Sequence, residues 1–491
     1  MHQMPSLEPL FPDRGSSEGL TAQLVRKMRT AIQDGFFPPS TRLLPSRDLA
    51  KRLGVARNTV TMAFQQLIDE GYLEARTGSG TFVAAELPKV PALPHAAERA
   101  PHDPVDVLPH LAPSLRAIAS TRGALRIGTP DLSAFPSRVW ERLSRAAHAM
   151  PSEEHLGYRS QNGLLELRES IAQHLAQFRG IAAAPDQVAV VNGTQAALNV
   201  VAVMLAKPGE AVVIEDPCYP FARAAFELRG LTPLPVPVDE HGLKTAELPA
   251  SARLAYVTPS HQFPIGGALP LMRRAQLLRW AQRANAYVIE DDYDSEFNAL
   301  ALPALQSLDS EERVIYVGTF SKTLAPGLRL GYIVAPPHLR AALHTASSVL
   351  THGIGKSEQR VLAAFIRHGY FTRHIRRMSH MYARRRRILT DALRTFLPRE
   401  FVLGPDQDGL HLSVLAPPDF DDVLATQTRL DDGQQLLALS VMCVKRTDCR
   451  GVILGIAGGG DAEIAPAARV VAQRLLDTLR RPAESVSRTG G

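Results

Sequence analysis

Apolar residues near the start of the chain recur with the period of an α-helix and are interrupted by glycines. One apolar face extends from residue 20 to residue 35, where Gly35 can end a first helix. Ser46 can cap a second, short helix that ends near Gly54, and a third helix is expected over residues 57–70. The pattern therefore predicts three helices, with a glycine-marked turn between the second and the third.

The third of these helices has an inward and an outward face. Val60, Phe64 and Leu67 follow one another at i, i+4 and i+7, so they are expected to pack inward. On the outward face Arg57 could read guanine, and Asn58 or Gln65 could read adenine through its amide. This face is the candidate for base recognition in DNA.

A hairpin pattern follows the third helix. Residues 72–76 and 81–83 flank a turn at 77–80. Three helices and a hairpin predict a winged helix-turn-helix domain over residues 1–84, in which helix two and the wing hold phosphates while helix three reads bases. The candidate DNA-binding residues are Arg47, Arg57, Asn58, Thr59, Thr61, Gln65, Arg76, Gly78, Ser79 and Gly80.

Positive charge is concentrated around the second helix. Residues 42–57 have a net charge of +4, compared with +6 for the whole chain. Such a cluster suits the phosphate backbone of double-stranded DNA. The alternative is a small helical domain whose polar face is simply solvated.

Composition narrows the class of protein without deciding its function. Hydrophobic residues make up 45% of the chain and charged residues 21%, as in globular proteins. The longest apolar run, residues 188–206, contains five polar or glycine positions, so no membrane span is expected. Three cysteines without metal-ligand spacing, and no signal-peptide pattern, favour a cytoplasmic protein, associated with the nucleoid through DNA.

Residues 85–120 have a different character from the segments on either side. Seven prolines alternate there with Ala, His and charged residues, and no apolar period is present. This composition is typical of a semi-extended linker. A linker of this length would allow two folded parts of one chain to lie apart.

From residue 121 onward, short apolar runs alternate with amphipathic segments such as residues 272–284. This alternation predicts a mainly parallel sheet covered by helices, in a domain over residues 121–482 with a small α/β lobe from about residue 374. Residues 483–491 are expected to be a disordered tail. The candidate strands are residues 188–191, 211–215, 254–258, 286–290 and 314–318.

Lys322 directly follows the last of these strands, within the string GTFSKTLAPGLRLG. A lysine in this position can form a Schiff base with an aldehyde cofactor. Thr319 and Ser321 can hydrogen-bond a phosphate, and Arg329 can bind it through two parallel N–H bonds. These requirements are those of pyridoxal 5′-phosphate (PLP).

Further candidate residues stand at the ends of the other strands, where open α/β sheets bind ligands. Thr194 and Gln195 open a helix that could cradle a phosphate, and Tyr219 offers a flat surface for a pyridine ring. Asp291 could pair with the pyridinium nitrogen, and Tyr293 could hydrogen-bond the ring hydroxyl. Each motif alone is weak, because such strings are usually a loop or a helix start. Their order after successive strands favours a cofactor site.

Both halves of the chain resemble known families. The string RLLPSRDLAKRLGVARNTVTMAFQQLIDEGYLEARTGSGTFV resembles the GntR superfamily of bacterial regulators, and residues 121–480 resemble fold-type I aminotransferases. The strings TPSHQFPIGG and EDDYDSEF, joined to a GntR-like amino terminus, resemble the MocR/GabR family of transcriptional regulators.

The resemblance implies a winged helix-turn-helix linked to an α/β aminotransferase-like domain of fold type I, with a large domain and a small carboxyl-terminal lobe. It implies Lys322 as the Schiff-base lysine and places the other candidates around PLP in the roles given above. It also implies a head-to-tail homodimer, in which the DNA-binding domain of one chain lies against the aminotransferase-like domain of the other.

Two departures from the aminotransferase pattern bear on activity. Many such enzymes read NPTG where this chain has Phe263-Pro264-Ile265-Gly266, so an asparagine is absent. Many also read R-L-x-F where this chain has Ile453-Leu454-Gly455-Ile456, and Arg450 is the arginine closest in sequence. Both changes leave cofactor binding intact and weaken the case for turnover of amino acids.

The leading hypothesis is a PLP-dependent transcriptional regulator that senses a small amine or amino acid, or PLP itself, through an internal aldimine at Lys322. The first alternative is an active aminotransferase that carries a DNA-binding appendage. The second is an architectural DNA-binding protein whose larger domain binds no cofactor.

Each of three smaller features allows two interpretations. The basic run at residues 373–387 could contact DNA, although a solvated helix face or a dimer rim is favoured. Cys218 could be redox-sensitive, although a buried thiol is favoured. His261 could touch a ligand or be a hydrogen-bonded structural histidine.

Overall fold

The computed structural model describes residues 7–88, 107–149, 153–158, 160–298, 302–351, 353–405 and 409–480. The chain divides into two compact units, Met1–Val105 and Asp106–Gly491. The expected tail at 483–491 and the middle of the expected linker, residues 89–106, lie outside the described residues.

The first unit is a helical domain with a short hairpin. Its core contains the apolar residues of all three helices, among them Met28, Val60 and Leu67, each fully buried. Arg29 of the first helix pairs with Glu70 at 2.7 Å and ties it to the end of the third. The elements are α1 (Leu20–Gln33), α2 (Ser46–Leu53), α3 (Arg57–Asp69), β1 (Leu73–Arg76) and β2 (Gly80–Val83).

The start of α2 differs from the prediction. Ser46 is the first residue of the helix and not its cap, because Pro45 holds the N-cap position and no side chain there makes a capping hydrogen bond. The end agrees with the prediction, since Gly54 has φ 66° in the left-handed region, where a residue without a side chain is favoured.

The hairpin has the antiparallel register Leu73↔Val83 and Arg76↔Gly80. Gly78 and Gly80 both have positive φ in the turn. Val83 is fully buried, so the hairpin is attached to the helical core by its second strand.

The second unit begins with a helix in part of the predicted linker. The expectation of an extended segment up to residue 120 is wrong for Ala112–Ser120, which forms α4. Pro113 occupies the first turn, where the missing N–H costs nothing. Ser114 Oγ donates to Val441 O at 2.6 Å, and Ala117 and Ile118 pack on a buried apolar cluster, so tertiary contacts hold a helix that has little apolar periodicity.

Eleven further helices cover the sheets of the second unit in the described residues. They are α5 (Ser137–Ala149), α6 (Glu153–Leu156), α7 (Leu165–Arg179), α8 (Thr194–Leu205), α9 (Pro220–Glu227), α10 (Leu271–Arg283), α11 (Arg340–Thr351), α12 (Lys356–Arg367), α13 (Tyr370–Phe396), α14 (Asp422–Thr426) and α15 (Asp461–Leu479).

The large sheet has eight strands in the order β3-β10-β9-β8-β7-β4-β5-β6. Pairs among β4, β5, β7, β8 and β9 are parallel, whereas β10 is antiparallel to both of its neighbours, so the sheet is mixed. The strands are β3 (Val188–Val191), β4 (Ala211–Asp216), β5 (Thr232–Asp239), β6 (Gly242–Leu243), β7 (Leu254–Val257), β8 (Tyr287–Asp292), β9 (Val314–Thr319) and β10 (Gly331–Val334).

All five candidate strands form, with ends shifted by at most two residues. Two strands of this sheet that are longer than two residues, β5 and β10, were not predicted. In β5 the prolines at 233, 235 and 237 remove backbone donors and hide the strand pattern.

A small antiparallel sheet forms the carboxyl-terminal lobe with α13 and α15. It has the order β11-β12-β14-β13, from β11 (Val402–Leu403), β12 (His411–Ala416), β13 (Leu437–Ala438) and β14 (Arg450–Gly455). Its core joins Leu389 and Leu393 of α13 to Val471 and Leu475 of α15. Among the described residues, no helix is both long and apolar enough to span a bilayer.

We expect the second unit to fold without the first, because each buried apolar cluster draws its residues from one unit only. A chain that starts at Asp106 should keep its helical circular dichroism and a cooperative thermal transition. Loss of that transition, with aggregation of the fragment, would show that the two units depend on each other.

Candidate functional site

A cavity of about 410 Å³ lies at the carboxyl ends of the central strands in the second unit. Its wall brings together all nine residues that the sequence assigned to a cofactor. They are Thr194, Gln195, Tyr219, Asp291, Tyr293, Thr319, Ser321, Lys322 and Arg329. The register Asp291↔Val317 between β8 and β9 places the loops after both strands beside each other.

The Lys322 side chain is half-buried, and its amine donates a hydrogen bond to Gly128 O at 2.7 Å. Burial lowers its pKa, and the negative charges of Asp294 and Asp291 partly oppose that shift. A lower pKa raises the fraction of neutral amine, which is the form that attacks an aldehyde. Gly128 has φ 75°, and a Cβ there would lie 3.3 Å from the Lys322 nitrogen, so the glycine leaves room for the amine.

Asp291 directs one unpaired oxygen to this site. Its Oδ2 accepts a hydrogen bond from the Tyr256 hydroxyl at 2.7 Å, whereas Oδ1 is buried and has no partner. Burial raises the pKa of Asp291 to about 7, although the Tyr256 hydrogen bond and Lys322 act in the opposite direction. A buried carboxylate without a full set of partners is costly, so a protonated ring nitrogen would satisfy it.

The amino-terminal end of α8 and the loop after β9 form a cradle for an anion. Gly193, with φ 78°, precedes Thr194 and leaves the first amides of the helix accessible at the cavity wall. The Gln195 Oε1 atom is buried without a partner. Arg329 adds a positive charge at the same wall, where one guanidinium nitrogen donates to Asn192 O at 3.2 Å.

Three aromatic rings line the opposite part of the wall. Phe263 meets Tyr219 edge to face at 5.8 Å and Tyr293 at 6.4 Å between ring centroids. The Tyr293 hydroxyl donates to His261 O at 2.9 Å, and its lone pairs can still accept a hydrogen bond from a ring hydroxyl. Phe263, where many aminotransferases have an asparagine, contributes only an apolar surface.

These residues fit PLP. A lysine amine of lowered pKa, a carboxylate oxygen without a partner, a helix terminus with an arginine at the same wall and a flat tyrosine are all present in one cavity. The residues that could hold the phosphate, the ring nitrogen and the aldehyde therefore line the same cavity.

Several wall residues were missed by the sequence analysis. Tyr256 lies within a strand that shows only an apolar run, and His411 belongs to the small lobe. Arg122, Arg126 and Gly128 come from the segment after α4, which carries no strand or helix pattern. A cluster of glycine, threonine and arginine in an irregular segment is the only local signal that could have indicated them.

Two open questions from the sequence are decided by burial. His261 is 2% exposed, hydrogen-bonds Asp294 at 2.9 Å and is absent from the cavity wall, which favours the structural interpretation. Cys218 is buried in the main apolar cluster, and burial raises the pKa of its thiol. A raised pKa lowers thiolate content and reactivity, which favours a plain buried thiol.

In the first unit, the predicted DNA-binding residues are accessible. Arg47 on α2 and the outward positions of α3 are exposed, and Thr59 is half-buried. Within α3 the side chains bond locally, for example Gln65 to Asp69 at 2.9 Å. In the hairpin, the Arg76 guanidinium lies 4.6 Å from the centroid of the Phe82 ring, beside the exposed turn at residues 78–80.

The basic run on α13 is partly internal. Arg385 is 5% exposed and bonds Asp131 and Asp461, and Arg386 donates to His411 O at 2.8 Å. The other five arginines of the run are exposed: Arg373, Arg376, Arg377, Arg384 and Arg387. Their helical spacing places them on one solvated face of α13.

Comparisons with known proteins match both units. Residues 20–83 match the model for bacterial regulatory proteins of the gntR family, and residues 125–437 match that for aminotransferases of class I and II. The probable rhizopine catabolism regulatory protein MocR of Rhizobium meliloti is 37% identical over 91% of this chain and 92% of its own length. The pyridoxine biosynthesis transcriptional regulator PdxR of Corynebacterium glutamicum is 34% identical over 83% and 85%.

Solved structures agree with the fold of the second unit. A kynurenine aminotransferase from Pyrococcus horikoshii has a TM-score of 0.68 and 25% identity, covering 76% of this chain and 95% of that one. The α-aminoadipate aminotransferase LysN from Thermus thermophilus, solved with phosphopyridoxyl-leucine, has a TM-score of 0.66 and 26% identity, covering 74% and 94%. The prediction of a fold-type I α/β domain is confirmed.

We expect Asp291→Asn to stabilise the protein at pH 8 when no ligand occupies the cavity. The buried carboxyl has a pKa of about 7. An aspartate in the unfolded chain titrates near 4, so the wild type loses stability as pH rises from about 4 to about 7. The gain in the variant should therefore shrink as pH falls and vanish below about 4, at about 1.4 kcal/mol per pKa unit.

The measurement is urea unfolding between pH 4 and pH 8, with the exposed Asp391→Asn as matched control. A stability difference between wild type and Asp291→Asn that does not depend on pH would contradict the assignment of Asp291 as a strained buried carboxyl.

Proposed function

The chain belongs to the MocR-type transcriptional regulators of the GntR family, which join a DNA-binding domain to an aminotransferase-like domain, and we propose that its second unit is a PLP-dependent sensor. In this proposal a small amine or amino acid, or PLP itself, is detected in the cavity around Lys322. The first unit binds double-stranded operator DNA through α3 and the hairpin.

The observation that carries the proposal is the presence of Lys322 and Asp291 in one cavity wall: the lysine amine has a lowered pKa, and one buried oxygen of the carboxylate has no partner. When bound, PLP supplies an aldehyde that condenses with primary amines and a ring that withdraws electrons. Asp291 would hold the ring nitrogen protonated. Lys322 would hold the aldehyde end in place.

The remaining predicted residues position and enclose the cofactor. Arg329 and the amides at the start of α8 would bind the phosphate, with the Thr319 and Ser321 hydroxyls beside them. Tyr219 would stack on the ring, and burial keeps its hydroxyl protonated by raising its pKa. These contacts would exclude water from the Lys322 amine and hold the cofactor with its aldehyde at that residue.

In a regulator, ligand binding to the sensor must change how strongly the DNA-binding domains bind DNA. An amine that displaces Lys322 would free its side chain from the cofactor and change the contacts of the surrounding wall. A difference of 1–3 kcal/mol between the two states would alter DNA affinity about 5- to 150-fold. We expect this coupling to act within a head-to-tail homodimer in the cytoplasm, at the nucleoid.

The alternative function is residual transamination. The likeness to solved aminotransferases favours it, whereas two residues weigh against it. Phe263 offers no hydrogen bond at the cavity wall, and Ile453 is buried in an apolar cluster. Steady formation of a keto acid from an amino acid donor, with no change in DNA binding, would favour the enzyme.

Lys322→Ala should abolish covalent attachment of PLP, because no other lysine lines the cavity in the described residues. Borohydride reduction followed by peptide mass spectrometry should find a pyridoxyl group on residue 322 of the wild type and of Lys207→Ala, a surface control. An adduct elsewhere, or none in the wild type, would contradict the sensor proposal.

Arg57→Ala should weaken binding to DNA selected from a random pool by about 1–3 kcal/mol and leave the visible absorbance of bound PLP unchanged. Fluorescence anisotropy at fixed salt measures this loss. The matched control is Arg26→Ala on α1, whose side chain pairs with Glu18. Equal DNA affinity of wild type and Arg57→Ala would contradict the role of α3.

The sensing step itself is tested on the loaded full-length protein. Amines and amino acids that change its absorbance should also change its affinity for the selected DNA, and the shift should be absent in Lys322→Ala. The regulatory coupling would be contradicted if every ligand of the panel that changes the absorbance left the DNA affinity unchanged.

A further inference from the structure

The cavity wall contains more positive charge than PLP needs. Its cationic residues are Arg122, Arg126, Lys322 and Arg329. If the proposed function is correct, Arg329 binds the phosphate of PLP and Lys322 binds its aldehyde. Two arginines among the described wall residues then have no assigned role.

These two arginines differ in how they are held. Arg122 is exposed, and its guanidinium donates to Ala119 O at 2.9 Å and Thr121 O at 2.7 Å. Arg126 is half-buried, and its side chain has no hydrogen bond or ion pair among the described residues. Its Nε atom is fully buried without a partner. A buried guanidinium nitrogen without an acceptor is costly, so Arg126 is the one that lacks an anion.

Arg126 is also well placed relative to the reacting amine. Gly128, two residues further along, accepts the hydrogen bond from Lys322 at 2.7 Å, and Arg126, Gly128 and Lys322 line the same cavity. A ligand whose amine takes the place of the lysine amine would therefore have a guanidinium in the adjacent part of the wall.

The position of the segment is fixed by contacts with β14. Gly455 N donates to Leu125 O at 2.8 Å. A Cβ at Gly455 would lie within 2 Å of Arg126 O, and one at Gly458 would lie 2.8 Å from Arg126 Cγ. Glycine at both positions therefore lets the backbone and the aliphatic stem of Arg126 pack at the end of this strand.

Ile453 and Arg450 are the positions that the sequence compared with the substrate-binding arginine of aminotransferases, and neither supplies a charge to this wall. Ile453 of β14 is buried beside Ile127 and Ile265 and is absent from the cavity wall. Arg450, at the start of that strand, pairs with Asp422 at 3.6 Å and lines a different cavity.

We propose that Arg126 binds the acid group of the effector, and that the ligand of this sensor is an amino acid and not a simple amine. The inference rests on the proposed function, since it takes PLP and Lys322 as the amine-reactive end of the site. The guanidinium would form charge-assisted hydrogen bonds to a carboxylate and thereby set specificity.

The test uses the full-length protein loaded with PLP. Its absorbance is titrated with the protein amino acids, β-alanine and 4-aminobutanoate, each compared with the amine that remains after decarboxylation. The wild type should respond to at least one amino acid at a concentration tenfold or more below that of its matched amine.

Arg126→Gln should raise the half-saturating concentration of that amino acid at least tenfold and leave that of the matched amine within twofold. Arg126→Lys, which keeps the charge, should recover part of the preference. Arg116→Gln removes an exposed arginine of α4 outside the cavity wall, so it should behave as the wild type.

Two results would overturn the inference. One is a wild type that shows no preference for any amino acid over its amine. The other is an Arg126→Gln protein that keeps the preference. If Arg126→Gln does not fold, competition on the wild type decides: an aliphatic acid of matching length should raise the half-saturating concentration of the amino acid, and no competition would overturn the proposal.

These outcomes separate this inference from the proposed function. If amines change both the absorbance and the DNA affinity without any dependence on Arg126, the proposed sensor function is supported and only the carboxylate site at Arg126 is contradicted. A protein that holds no PLP on Lys322 would remove both.

Discussion

The second unit depends on keeping the Lys322 amine and the buried Asp291 carboxyl apart while both line one cavity. Burial lowers the pKa of Lys322 and raises that of Asp291, so each group is held away from the charged form that water would favour. Neither is neutralised by the other, because Lys322 donates to Gly128 and Asp291 accepts from Tyr256. The unpaired Oδ1 atom of Asp291 and the Lys322 amine therefore remain available at the cavity wall, where a ligand with complementary groups can bind them.

The mixed sheet supplies the rigidity for this arrangement. Parallel β8 and β9 are fully buried, and their carboxyl ends deliver Asp291 and Lys322 to the same edge. The antiparallel β10 lies between β9 and β3, so the carboxyl end of β3 and the start of α8 are at that edge as well. The anion cradle and the amine are therefore positioned by strands, whereas Arg122 and Arg126 come from an irregular segment that contacts β14.

The two units divide the tasks of a regulator. The first places short polar and basic side chains of α3 and the hairpin in solvent and puts its apolar residues into a core of its own. The second buries its ionisable groups, where their charge depends on what occupies the cavity. A signal can pass from one to the other only if occupation of the cavity changes contacts outside it, and the proposed displacement of Lys322 would supply such a change.

The sequence by itself determined the elements that have a local period and the residues that stand at their ends. The α3 pattern, the five buried strands and the nine cofactor candidates all follow from runs of apolar residues and the polar residues beside them. The sequence could not indicate β5, whose prolines hide the pattern, or α4, which depends on contacts with a distant part of the chain. Only the tertiary structure decided that Gly128 and Lys322, 194 residues apart, share a hydrogen bond, and that Arg126 lies in the same wall without a partner. Such contacts arise from the packing of one segment against another, so no pattern within either segment records them.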